Sequence, residues 1–128
     1  GRGYFEEATV HEVHGILQVE LARHDAKLDA IYYCPHHPDA GCDCRKPRPG
    51  MVVQAVKELE IDVAQSFVIG DRYVDVELAH ATGARAVLVL TGDGRVQIEK
   101  YKDQPVQPHF IAEDLLRAVE SILSGEFA

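Results

Sequence analysis

The chain has 128 residues, 46% of them hydrophobic and 27% charged, with a formal net charge of −8. That length holds one domain with a real core and hardly two. The acidic balance argues against a general nucleic-acid binder, which needs a basic face, and no apolar run approaches the about 20 residues of a membrane-spanning helix.

The chain opens on Gly1-Arg2-Gly3-Tyr4-Phe5, which looks like the middle of a loop. From Glu6 to about His24 the spacing is helical, with Val10, Val13, His14, Leu17 and Leu21 forming one inward stripe and Glu6 and Glu7 suiting a helix N-terminus. Asp29-Ala30-Ile31-Tyr32-Tyr33 is rich in aromatic and β-branched residues and predicts a short strand that delivers Cys34 at its end. The loop from Cys34 to Met51 follows. Pro49 then sits where a helix starts, and Met51, Val52, Ala55, Val56 and Leu59 make its apolar face. Ser66 to Gly70 has the near-continuous apolar pattern of a strand buried on both sides. Gly70 is expected to permit a sharp turn into Asp71. Val74 to Ala81 predicts a helix closed by Gly83, Arg85 to Leu90 a buried strand, and Val96 to Gln107 a loop or short helix. Phe110-Ile111-Ala112 predicts a last strand, and Glu113 to Leu123 a helix with Leu115, Leu116, Val119 and Ile122 inward.

Strands alternate with helices, which predicts an α/β fold with a mainly parallel sheet. In such sheets the working residues collect at the C-terminal ends of strands. Cys34, Asp71 and Thr91 each follow a predicted strand, so their loops are expected to share one edge.

Two of these loops carry chemistry. All three cysteines of the chain, Cys34, Cys42 and Cys44, fall in one Pro/Gly-rich loop together with His36 and His37. Thiolates and an imidazole from the two ends of a short loop can close on one tetrahedral zinc ion. Incidental free cysteines are the plainer reading, but chance seldom gathers every cysteine of a chain into one loop. A disulfide framework is disfavoured by the odd count and by the lack of a visible signal peptide. A reducing, cytoplasmic setting is therefore expected. Arg45 and Lys46 follow the last cysteine, placing two cations where a phosphate ester could bind. Asp71 and Asp75, one helical turn apart at a strand tip, suit Mg²⁺ with phosphate and water; read plainly, they are a turn residue and a helix N-terminal charge. Arg72 is either a further phosphate contact or a surface cation.

Cys-Pro-His-His-Pro, Cys-Asp-Cys-Arg-Lys-Pro-Arg-Pro-Gly-Met and Val-Ile-Gly-Asp-Arg-Tyr-Val-Asp together resemble the haloacid dehalogenase-like phosphatases. Within them the chain is most similar to the zinc-bearing branch acting on the 7-phosphate of D-glycero-D-manno-heptose 1,7-bisphosphate, which is related to the histidinol-phosphate phosphatases. The resemblance implies a Rossmann-like, mainly parallel sheet flanked by helices, with residues 1–128 as the C-terminal part of a single domain and the zinc loop at 34–44. It implies that Cys34, His36, Cys42 and Cys44 bind zinc, with His37 as the spare. It further implies that Lys46 neutralises the transferring phosphoryl group, Arg45 and Arg72 hold substrate, Asp71 binds Mg²⁺ and Asp75 supports that site. The family's nucleophile and acid/base come from an Asp-x-Asp motif on the first strand, and this chain contains none. Gly1-Arg2-Gly3 matches the end of the family's threonine-bearing phosphate loop, so the first strands are expected to be missing. A further segment or another chain is then expected to complete the sheet. A histidinol-phosphate phosphatase is the competing expectation of the same class, and a non-catalytic zinc-binding fragment that binds phosphate or a partner that of another class.

Overall fold

The computed structural model describes residues 7–127. They fall into two compact units, residues 7–45 with 50–60 and residues 46–49 with 61–127.

The first unit contains helix α1 (Glu7–Ala22), a short 3₁₀ turn (Pro38–Ala40), and helix α2 (Gly50–Leu59). The helix predicted from Glu6 forms, but its stripe is only partly covered: Val10, His14 and Leu21 are half-buried, whereas Val13 and Leu17 are exposed. Residues 29–33 form no strand. A strand exists only with a ladder partner, and β propensity does not supply one. The tyrosines of this segment bind side chains instead: the Tyr32 hydroxyl donates to Glu58 Oε2 at 2.6 Å, and the Tyr33 hydroxyl meets His11 Nε2 at 3.0 Å. In α2 the predicted face is the covered one, with Met51, Val52, Ala55 and Val56 half-buried and Leu59 exposed.

The second unit carries the sheet. Its elements are β1 (Phe67–Gly70), α3 (Tyr73–Thr82), β2 (Arg85–Val89), α4 (Gly94–Lys100), β3 (Phe110–Ala112) and α5 (Leu115–Leu123). The strands lie in the order β1-β2-β3, and both pairings are parallel. Phe67 to Gly70 run beside Arg85 to Leu88, and Val87 to Val89 beside Phe110 to Ala112.

Side-chain alternation along β2 divides the core. Ala86 and Leu88 face one way and pack with Val76, Ala79 and Ala84, while Val87 and Val89 face the other way and pack with Ala112 and Ala118. Covered on both faces, β2 has the continuous apolar sequence such a strand requires. By contrast, β1 has only β2 as a partner among the described residues and is half-buried throughout, not buried on both sides as its composition predicts.

Helix α5 corrects the predicted inward set. Ala118 is the buried position and Ile122 is half-buried as expected, whereas Val119 is exposed and Leu115 and Leu116 are each 59% exposed. A small residue lets the helix approach Val87, Val89 and Ala112 closely; the leucine side of the helix is not the one against the sheet. Gly83 caps α3 in the left-handed conformation, φ +85°, as predicted. No helix among the described residues is long and apolar enough to cross a membrane.

Candidate functional site

In the first unit, Cys34, His36, Cys42 and Cys44 bring one donor atom each to within 4.8 Å of all the others. Cys34 Sγ lies 3.4 Å from Cys42 Sγ and 3.1 Å from Cys44 Sγ. His36 Nδ1 lies 3.7 Å from Cys34 Sγ and 3.2 Å from Cys44 Sγ. A zinc tetrahedron with Zn–S bonds of about 2.3 Å has edges of about 3.8 Å, so the four donors have the spacing and chemistry that zinc takes. His37 stands apart from the group. Its Nδ1 accepts from the Asp39 N–H at 3.2 Å and caps the 3₁₀ turn.

Crowding sets the sulfurs against one another. Burial pushes the Cys42 thiol up, but hydrogen bonds from Cys34 and Cys44 and from the Arg45 and Cys44 main chain outweigh it and bring it down to about 6. Cys44 goes the other way, to about 12, chiefly through its hydrogen bond with Cys34, then burial and the nearness of Cys42. Thiolates cannot share this space without a cation, and a bound metal is what deprotonates such a set. The loop is also tied to helix α2, because the Gly50 N–H donates to the Asp43 carbonyl at 2.7 Å. Any side chain at Gly50 would overlap that carbonyl, so only glycine allows the contact.

The second unit builds a charged cluster at the C-terminal ends of β1 and β2. Lys46 Nζ donates to Asp75 Oδ1 at 2.6 Å, and the Arg72 N–H reaches Asp75 Oδ2 at 3.3 Å. Asp75 is 6% exposed, a buried carboxylate satisfied by one ammonium and one main-chain donor. As the third residue of α3, it accepts from the residue preceding the helix, as a helix-capping acid does. Asp71 Oδ2 accepts from the Asp93 N–H at 3.0 Å, and Arg72 Nη1 lies 3.6 Å from Asp93 Oδ2.

Two glycines make room for these carboxylates. A Cβ on Gly70 would overlap the Asp75 carboxylate, and one on Gly92 would overlap Asp71 Oδ2. Gly70 is therefore required for space and not for a left-handed φ, and the chain bends at Asp71 and Arg72 directly after it. Gly92 is required on both counts, with φ +60°.

The geometry thus joins Lys46, Arg72 and Asp75, and links Asp71 to Arg72 through Asp93. Arg45 belongs to the first unit, where its main chain serves Cys42. Asp93 and Gly92 were not singled out by the sequence. The only signal was that Thr91-Gly92-Asp93-Gly94 follows a strand end.

Residues 43–118 match the family model described as HAD-hydrolase-like. The chain belongs to the HAD-hydrolase-like family. Among curated relatives, it is 42% identical over 99 residues to the D-glycero-beta-D-manno-heptose-1,7-bisphosphate 7-phosphatase of Pseudomonas putida, covering 77% of this chain and 57% of the relative. It is 38% identical over 122 residues to the enzyme of that name from Pseudomonas aeruginosa, covering 95% of this chain and 66% of the relative. A crystal structure of the D,D-heptose 1,7-bisphosphate phosphatase from B. bronchiseptica, complexed with magnesium and phosphate, superposes with a TM-score of 0.87 at 35% identity. That superposition covers 97% of this chain and 68% of the other. The chain thus spans 57% to 66% of the length of these two curated relatives.

Proposed function

We propose that this chain supplies the zinc loop, the magnesium ligand and the substrate-holding cations of a phosphomonoesterase. Its proposed substrate is the 7-phosphate of D-glycero-D-manno-heptose 1,7-bisphosphate, hydrolysed in the cytoplasm. The observation that carries this reading is the Lys46–Asp75 contact at 2.6 Å beside Asp71 and Arg72. A buried carboxylate fixes a lysine where a phosphoryl group would develop charge, and preorganised cations of this kind stabilise phosphoryl transfer. The neighbour solved with magnesium and phosphate supports the same assignment.

In this reading Lys46 neutralises the transferring group, and Arg72 holds the substrate. Asp75 orients Lys46 and supports the metal site. Asp71 would hold Mg²⁺, which supplies charge neutralisation on phosphate oxygens when bound. Its Oδ2 already accepts from Asp93, and Oδ1 meets no hydrogen-bond donor among the described residues. The Cys34, His36, Cys42 and Cys44 site is structural, because four protein ligands leave no open position for water. An aspartate outside these 128 residues attacks phosphorus, expelling the sugar alkoxide, and water then cleaves the aspartyl-phosphate. The segment bearing it, on this polypeptide or another, pairs with the edge of β1 that has no partner among the described residues.

The test is phosphate release by the chain mixed with a segment carrying the family's Asp-x-Asp motif, with Mg²⁺ present. Heptose bisphosphate is expected to exceed histidinol phosphate in kcat/KM. The reverse order would reassign the substrate. No release from either, with the zinc loop loaded and the two segments associated, would favour a non-catalytic zinc-binding role.

A further inference from the structure

We propose that Asp93 is a positioning residue that arranges two members of the phosphate site from one turn. Its main-chain N–H fixes the carboxylate of Asp71, and its side chain holds the guanidinium of Arg72 until a phosphate takes it. The inference rests on the magnesium and phosphate reading above.

Three observations carry it. The first is the contact itself: the Asp93 N–H lies 3.0 Å from Asp71 Oδ2, and the preceding Gly92, at φ +60°, has no Cβ to keep that oxygen away. The second is what the Asp93 carboxylate does not do. Asp93 precedes α4 as its N-cap, where an aspartate ordinarily accepts from the first turn, yet it makes no side-chain cap bond. It lies instead 3.6 Å from Arg72 Nη1. The third is the anchoring of the turn. Gly94 is buried so tightly on the Val89 carbonyl that no side chain fits there, which ties the turn to the end of β2. Both partners of the Arg72–Asp93 pair are about 60% exposed. Such a pair contributes little stability, which suits a cation released to an incoming anion.

The experiment uses the 128-residue chain, four variants at Asp93 and Arg72, and Asp71→Ala as the control for the metal. Asp93→Asn keeps the N–H and removes the charge, whereas Asp93→Pro removes both. Arg72→Gln, alone and with Asp93→Asn, completes the set. Titration with Mg²⁺ is expected to show Asp93→Asn within about twofold of the parent and Asp93→Pro weaker by about tenfold, the loss of one hydrogen bond to a charged group. Titration with inorganic phosphate in Mg²⁺ is expected to show Asp93→Asn tighter by about threefold, and no such gain in the Arg72→Gln background. A gain that persists without Arg72 would mean plain removal of negative charge and overturn the proposal, as would Asp93→Pro with unchanged Mg²⁺ affinity. Should Asp93→Pro fail to fold, Gly92→Ala, which pushes on Asp71 Oδ2, takes its place with the same expected loss. The reading beneath is judged separately: Mg²⁺ binding that is absent, or indifferent to Asp71→Ala, refutes the magnesium assignment. The turn is judged without metal by the Asp93 amide proton, which must move upfield in Asp71→Ala. An unmoved resonance overturns the proposal whatever magnesium does.

Discussion

Replacing Lys46 by methionine keeps the side-chain stem and removes the ammonium from Asp75, its partner at 2.6 Å. The Lys46 side chain is 43% exposed and that of Asp75 only 9%. Two unit charges at that separation attract by about 1.6 kcal/mol in bulk water and about 6 kcal/mol at an effective dielectric of 20. Ordering the lysine stem and desolvating Asp75 offset much of the larger figure. Breaking a fully buried pair costs about 3–5 kcal/mol, and an exposed pair is worth about 1 kcal/mol or less. With one partner buried and the other half out, the cost of Lys46→Met should be about 2 kcal/mol. What remains is a buried carboxylate with only the Arg72 N–H, at 3.3 Å, to satisfy it. The assay is urea unfolding of the parent, Lys46→Met, Asp75→Asn and the double variant, followed by far-UV circular dichroism. Asp75→Asn should rescue much of the loss, because removing the buried charge removes the reason the ammonium is needed. The cycle should return a coupling of about 2 kcal/mol, or about 7 °C in Tm for a chain of this length. A coupling below about 0.5 kcal/mol would mean that Lys46 merely lies against Asp75, and the argument that this acid fixes the lysine would fail.

Three further outcomes are expected. Chain purified without added metal should hold close to one zinc per molecule by elemental analysis; less than about a tenth of an equivalent with the thiols reduced would refute the site, and Cys44→Ser should lower the retained zinc. Stability should fall as pH drops below 6.5, because burial first, then His80 and Arg85, hold His109 below its ordinary value, and its neutral Nδ1 accepts from the Ala86 N–H at 2.9 Å. The unfolded chain binds the proton more readily, so the loss accrues between 6.5 and the depressed folded value; Tm measured from pH 7.5 to pH 5.5 should decline less in His109→Gln. Assayed alone with Mg²⁺, the 128 residues should release no phosphate from phosphate esters, since the proposed site commits Asp71 to metal and Asp75 is held by Lys46 and Arg72; turnover abolished by a substitution within this chain would refute that.

How far the sequence could be read depended on whether an element's neighbours were close in the chain or distant. Strand β2 was legible because burial on both faces leaves an unbroken apolar run, Ala86 to Leu90, that hardly fits anything else. The end of α3 was legible because a left-handed cap wants glycine, and Gly83 is there. Residues 29–33 were misread because composition reports how well a residue suits a strand, while pairing depends on a neighbour that sequence periodicity does not name. The side of α5 against the sheet was misread for a related reason. Leucine periodicity marks which residues would gain from burial, but close packing selected Ala118, the small residue that lets the helix reach Val87 and Ala112.

The candidate sites divide along the same line. The candidate zinc donors were visible because the four residues lie within eleven consecutive residues, Cys34 to Cys44, and cysteine is scarce enough for clustering to be informative. Asp71 and Asp75 were visible because strand-tip acids are a recognisable pattern. Asp93 was not, because its contact with Asp71 comes from its main chain. An amide N–H exists at every residue but proline, so no spacing could mark the one that meets Asp71. Gly92 could be read only as a turn residue until Asp71 Oδ2 was found in the space its Cβ would fill. The same holds for Gly70 and the Asp75 carboxylate. In both cases the chain keeps a glycine against a carboxylate at a strand tip, so the acids of this site are held by the absence of side chains as much as by hydrogen bonds. That makes an alanine at either glycine more informative than one at most charged positions: it adds no charge, removes no donor, and still has to displace a carboxylate.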